Sequence, residues 1–104
     1  MAVNRLEALQ DLVARNPQDH FARFGLAMEY AKAGGPEQAA EQFRALLTLN
    51  PDYWGAYYHL GQVLEALGRP EEARAAYEKG VQVTARLGQA HARSELETAL
   101  DLLG

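Results

Sequence analysis

The chain contains no cysteine, so neither a disulfide framework nor a thiolate metal site is available to it. Basic residues are short as well: 10 Lys and Arg stand against 14 Asp and Glu, a formal net charge of −4. A surface that grips nucleic acid or an anionic membrane needs a basic face, so this balance argues against both partners. No stretch approaches the ~18 consecutive apolar residues of a membrane span. The first residues, MAVNRLEALQDL, lack the apolar core of a signal peptide, and the expectation is a cytoplasmic protein. Motifs for chemistry are missing too. There is no H-E-x-x-H and no acidic calcium loop, and His20, His59 and His91 are too far apart in sequence to form a local ligand pair. Gly34-Gly35 comes without the strand, the further glycines and the lysine of a phosphate loop. Glu37 and Glu41 form a like-charge i, i+4 pair, the mark of a solvated helix face rather than of a tuned acid and base. No nucleophile–base–orienter set can be named. Neither an enzyme, nor a metal, nor a cofactor is expected.

What is present in quantity is alanine, 19 residues in 104, with few β-branched residues, which favours helix. The chain also repeats itself. GGPEQAAEQF at Gly34 to Phe43 returns as GRPEEARAAY at Gly68 to Tyr77, an offset of 34 residues. At that offset Ala22, Leu26, Gly34, Pro36, Glu37 and Ala39 meet Ala56, Leu60, Gly68, Pro70, Glu71 and Ala73. Phe24 meets Tyr58, Tyr30 meets Leu64, Phe43 meets Tyr77 and Leu47 meets Val81. Asn16-Pro17 falls on Asn50-Pro51. A fixed period of this length is the signature of a solenoid built from stacked units. The punctuation divides each unit into two helices. Asp19 is placed to cap the first, the glycines after Ala33 and Leu67 close it, and Pro36 and Pro70 open the second. Pro51 biases Asn50 out of the helical region and ends that helix.

The predicted helices run from about Val3 to Arg15, His20 to Ala33, Pro36 to Leu49, Tyr53 to Leu67, Pro70 to about Thr84, and Gln89 to Leu103, six in all with no strand signal. One domain over residues 1–104 is expected. It holds an N-terminal half-unit at 3–17, repeats at 20–53 and 54–87, and a terminal capping helix at 89–103. Ala27 and Gly61 on the first helices, and Ala39 and Ala73 on the second, are small where a close crossing needs them to be. Tyr30, Leu64, Phe43 and Tyr77 are expected to fill the space on either side.

These residues resemble the tetratricopeptide repeat family, whose pattern is aromatic, Leu-Gly, Tyr, Ala, aromatic and Pro over 34 residues. The second unit carries it as Tyr57, Leu60-Gly61, Leu64, Ala73 and Tyr77, with Ala85 where proline is usual. The first unit reads Arg23, Leu26-Ala27, Tyr30, Ala39, Phe43 and Pro51, with Arg23 in the aromatic place. A strict 34-residue offset would put Ser94 and Glu95 where Leu and Gly belong, so the last helix is expected to cap the stack, in a register of its own. The resemblance implies an all-α fold, a right-handed superhelical solenoid of antiparallel helix pairs. It also implies a protein-interaction module that binds a peptide or helical segment in a concave groove lined by the first helices.

On the first unit the face left over from packing offers Phe21, Phe24, Met28 and Lys32; on the second it offers Tyr58, Gln62 and Glu65, with Arg93 bordering the groove. Phe24 aligns with Tyr58 and is assigned to the groove. For Phe21 two readings stand, groove or cover by neighbouring helices. Some members of the family hold peptide carboxylates with a clamp of Lys, Asn and Arg. Here Phe24, Met28 and His59 occupy those places, so an apolar or aromatic segment suits the groove better. The YWGAYY run at Tyr53 to Tyr58 reads as core and groove aromatics in so acidic a chain. A second hypothesis is self-association: Leu6, Leu9, Leu12 and Val13 form an apolar stripe that an isologous homodimer would bury.

Overall fold

The computed structural model describes Asn4–Gly104 and holds six α-helices over those residues: α1 Arg5–Arg15, α2 His20–Lys32, α3 Pro36–Leu49, α4 Gly55–Ala66, α5 Pro70–Leu87 and α6 Ala90–Leu103. Val3, the expected start of the first helix, lies outside the described residues. Each helix packs on the next in sequence, and α6 also packs on α4. The result is an all-α solenoid in which α2, α4 and α6 follow one another on one side.

Local chemistry sets the ends. Asn4 caps α1 by accepting the Leu6 N–H at 2.8 Å, and Asp19 caps α2 by accepting the Ala22 N–H at 3.1 Å. A cap of this kind stabilises a helix by about 1 kcal/mol. At the turn between the paired helices, Gly34 and Gly68 sit at φ 80° and 73°. This left-handed geometry lets the Gly35 and Arg69 N–H groups reach back to the carbonyls of Tyr30 and Leu64.

The helix starts and stops correct the expected boundaries in two places. Tyr53 and Trp54 precede α4 rather than opening it. The Asn50 side chain accepts the Asp52 N–H and the Asn50 carbonyl accepts the Tyr53 N–H, both at 3.1 Å, and this turn occupies the chain up to Trp54. α5 runs past Thr84 to Leu87. Pro51 stops α3, but its counterpart Ala85 carries an N–H and imposes nothing on the residue before it. The helix therefore continues until Gly88 at φ 70°, where the Gln89 N–H closes on the Thr84 carbonyl at 2.9 Å. The extra turn resets α6. Leu60, Leu64 and Leu67 correspond to Leu96, Leu100 and Leu103, an offset of 36 rather than 34. Ala85→Pro would restore the usual residue of the repeat, yet we expect it to destabilise the fold by about 3 kcal/mol in urea titration, because Ala85 now lies inside a helix.

The core holds what the pattern placed there, with one exception. Phe43, Tyr77, Leu46, Leu64, Leu96 and Thr84 are fully buried, and so are Ala27, Ala39 and Ala73 at the crossings. Tyr30 is only half-buried, and its hydroxyl accepts from Gln10 of α1 at 2.9 Å. A single helix covers it from that side, whereas its counterpart Leu64 is enclosed.

Arg23 solves its own departure from the pattern. At the equivalent place Tyr57 donates its hydroxyl to the Pro51 carbonyl at 2.6 Å. Arg23 donates from Nη2 to the Pro17 carbonyl at 3.0 Å and from Nη1 to Gln42 at 2.8 Å. Pro17 and Pro51 are themselves one repeat apart, so a guanidinium and a phenol tie equivalent linkers to equivalent helices, α2 and α4. Between the second helices, Arg69 pairs with Glu37 at 3.1 Å and Arg44 with Glu72 at 2.7 Å. These pairs are exposed and contribute little to stability.

Candidate functional site

The face shared by α2 and α4 is built on aromatic rings. Phe24 of α2 lies 5.3 Å from Tyr53, 5.7 Å from His59 and 5.9 Å from Phe43, centroid to centroid. His59 of α4 lies nearly parallel to Phe43, at 6.1 Å and 13°. Tyr58 meets the His59 ring at 5.6 Å and the Tyr77 ring at 6.2 Å. A continuous aromatic layer therefore runs from α2 across α4, each pair within the 4.5–7 Å range where ring contacts are favourable.

The proposed groove residues divide into three kinds. Phe21 is 82% exposed, which answers the open question about it: no neighbouring helix covers it. Phe24, Met28 and Tyr58 are half-buried and pack on the core, forming a floor rather than free side chains. Phe24 in particular is too deeply engaged with Phe43, Tyr53 and His59 for its truncation to leave stability unchanged. The polar members are largely occupied within the chain. Lys32 is exposed, 3.9 Å from Glu29, which also receives Arg5 at 2.6 Å. Gln62 donates to the Tyr77 hydroxyl at 2.6 Å, and that hydroxyl donates to Glu65. Burial first, then the Glu65 carboxylate, pushes the Tyr77 phenol well above its ordinary pKa, which keeps it a donor. Arg93 on α6 is exposed and pairs with Glu97 at 3.6 Å.

Two further residues were read only within the YWGAYY run and not named among the groove residues. Tyr53 and Trp54, in the turn before α4, line an open depression of about 340 Å³ together with Phe24 and Gly55. A smaller one, about 120 Å³, lies on the other side of Trp54, between Tyr58 and His59 of α4 and Ala92, Glu95 and Leu96 of α6. The signal was in the repeat. Gly55 is the counterpart of Phe21, and a Cβ added at Gly55 would meet nothing within 4 Å. Where the first unit projects a phenyl ring, the second leaves a gap beside an indole.

His59 makes this layer sensitive to acid. Burial pushes its imidazole below the ordinary histidine pKa, and Glu95 pulls partly the other way. The folded chain thus prefers neutral His59, while the unfolded chain takes the proton at about pH 6.5. The stabilisation is complete above that value and is lost as pH falls through the depressed folded pKa. We expect the parent to lose more thermal stability than His59→Gln between about pH 7.5 and about pH 5. Equal losses in the two proteins would show that His59 does not govern the transition.

Among the described residues no helix is long and apolar enough to cross a membrane. The face built on α2 and α4 is one of helix surface, aromatic floor and exposed ring, without a converging set of reactive groups. Comparison with known proteins agrees with the repeat. The family model for the tetratricopeptide repeat matches residues 24–86. A TPR repeat-containing protein of Pseudomonas aeruginosa is 32% identical over 95 residues, covering 91% of this chain and 90% of its own. The solution structure of a tetratricopeptide repeat domain protein from Salinibacter ruber superposes with a TM-score of 0.79 at 36% identity, covering 85% of this chain and 89% of that one. The type III secretion chaperone SycD of Yersinia enterocolitica, solved with a peptide of the translocator YopD, shares the fold with a TM-score of 0.87 at 14% identity, covering 94% of this chain and 76% of that one. The 34-residue period, the small residues at the helix crossings and the matched family model lead to one conclusion: this chain belongs to the tetratricopeptide repeat family.

Proposed function

We propose that the protein is an interaction module that takes an apolar or aromatic-bearing segment of a partner, such as one face of an amphipathic helix, along the side formed by α2, α4 and α6. The observation that carries this reading is Phe21, 82% exposed and aligned with the gap at Gly55. A lone exposed ring has no role in the fold. An exposed ring one helical turn before Phe24, which with Tyr53 and Trp54 lines an open depression, suits a partner segment that meets the ring and fills the depression. Phe24, Met28 and Tyr58 supply the floor. Gln62 and Glu65 border it with their polar ends held by Tyr77, and Lys32 stands at the edge. SycD, which shares the fold, carries a peptide in its structure, and this supports a peptide ligand of some kind here.

Peptides selected from a random display library on the parent protein test the proposal. They should contain apolar or aromatic anchors. Phe21→Ala should shift the melting stability by less than ~0.5 kcal/mol, yet weaken binding of the selected peptides by more than ~1 kcal/mol. Selected peptides that bind Phe21→Ala and Trp54→Ala as well as the parent would refute it.

A further inference from the structure

The two depressions that share Trp54 differ in chemistry. The larger one, walled by Phe24, Tyr53, Trp54 and Gly55, has no charged side chain in its wall. The smaller one, about 120 Å³, adds a carboxylate: Glu95 of α6 lines it together with Trp54, Tyr58 and His59 of the α4 side. The Trp54 indole is 37% exposed and the Glu95 side chain 52% exposed, so a ring and an anion open onto the same space. No lysine or arginine lines it. Arg93, two residues before Glu95, pairs with Glu97, and both line a separate depression with Thr84 and Gly88. His59 supplies no positive charge either, because burial pushes its pKa below the ordinary histidine value. Glu95 does meet His91, from Nε2 to Oε1 at 2.8 Å. That imidazole is 92% exposed, one turn earlier on α6 and outside the wall of the depression. A histidine is uncharged at about pH 8. There the carboxylate keeps its negative charge, and the contact occupies one of its two oxygens.

We propose that this depression is a subsite for an arginine side chain of the partner segment, its guanidinium set against the Trp54 and Tyr58 rings and donating to Glu95. A planar guanidinium satisfies both walls at once. It stacks on an aromatic face and forks to a carboxylate, which an ammonium group does less well. An acidic side chain would meet Glu95 as a like charge. An apolar one would cover the carboxylate without giving it a partner. The subsite rests on the reading of the α2, α4 and α6 side as the binding face, and it adds a charge to the partner. The segment then carries an apolar or aromatic anchor for one side of Trp54 and an arginine for the other.

Tryptophan-free peptides selected on the parent from a random library test this at about pH 8. Binding is read from the fluorescence of Trp54, the only tryptophan of the chain. Arginine should be enriched among the peptides. Replacing that arginine by glutamine should weaken binding to the parent about tenfold, yet change binding to Glu95→Gln by less than about twofold. Phe21→Ala should weaken the arginine and glutamine peptides by the same factor, since it acts at the apolar anchor. His91→Ala should bind the arginine peptide at least as well as the parent. Peptides that depend on Phe21 but hold no excess of arginine overturn the subsite and leave the binding face standing. An equal loss on arginine replacement in the parent and in Glu95→Gln also overturns it, because the arginine then serves another group. Arginine peptides that depend on Glu95 but are indifferent to Phe21 support the subsite and overturn the anchor at Phe21. Peptides with neither dependence overturn both.

Discussion

Gly61→Ala is expected to destabilise the protein by about 2–3 kcal/mol in a denaturant titration. The sign is the informative part. In an unconstrained helix interior, glycine to alanine stabilises by about 1 kcal/mol. Here a Cβ at Gly61 would sit 2.1 Å from Cε1 of Tyr77 and 2.4 Å from Cζ, well inside contact distance. The ring cannot swing clear. It is fully buried, and its hydroxyl is held between Gln62 and Glu65 on the helix that Gly61 belongs to. α4 and α5 must therefore move apart, opening contacts along the whole pair. Gly55→Ala is the control, since a Cβ there meets nothing, and it should change stability by less than ~0.5 kcal/mol. If Gly61→Ala melts like the control, the close crossing of α4 and α5 is wrong.

Tyr77→Ala should cost more, about 3–5 kcal/mol, as truncation of a buried aromatic does. Tyr77→Phe separates the ring from the hydroxyl. It keeps the packing against Gly61 and loses only the link from Gln62 through the phenol to Glu65, a loss of about 1–2 kcal/mol. The two positions are in contact, so their effects must couple. The Gly61→Ala/Tyr77→Ala double variant should be more stable than the sum of the single changes implies by about 1 kcal/mol or more, because the added methyl then meets no ring. Strict additivity would mean that the ring and the glycine do not touch.

The fold was legible in the sequence because its signals were redundant. Glycine turns, prolines at helix starts, and small residues at crossings recur at one spacing, so each copy corroborates the other. The register of α6 was not legible in the same way. Its two-residue shift follows from Ala85 failing to stop α5, and the absence of a stop signal does not say where the next stop falls; Gly88 supplied it. Arg23 shows a second limit. Residue type marked it as a misfit, yet the carbonyl it serves is the one Tyr57 serves a repeat later, which only geometry reveals. On the face of α2 and α4, helical spacing grouped the residues but did not give their depth. Phe21 and Phe24 are three residues apart on one helix; one is exposed and the other lies among three rings. The difference is made by Tyr53, from the turn before α4, and His59 of α4 reaching across to Phe24. Tyr53 and Trp54 were obscured because they read as the start of α4, whereas the turn at Asn50 and Asp52 holds them ahead of the helix.

Amide chemical-shift mapping of the isotope-labelled parent, titrated with a library-selected peptide, tests the binding face most directly. The largest perturbations should fall on Phe21, Phe24, Met28, Trp54 and Tyr58, and extend to Ala92 and Glu95 of α6, with α3 and the outer side of α5 little changed. Perturbations centred on Arg44, Glu72 and Arg74, with Phe21 and Trp54 unmoved, would contradict it and assign the partner to the opposite side of the stack.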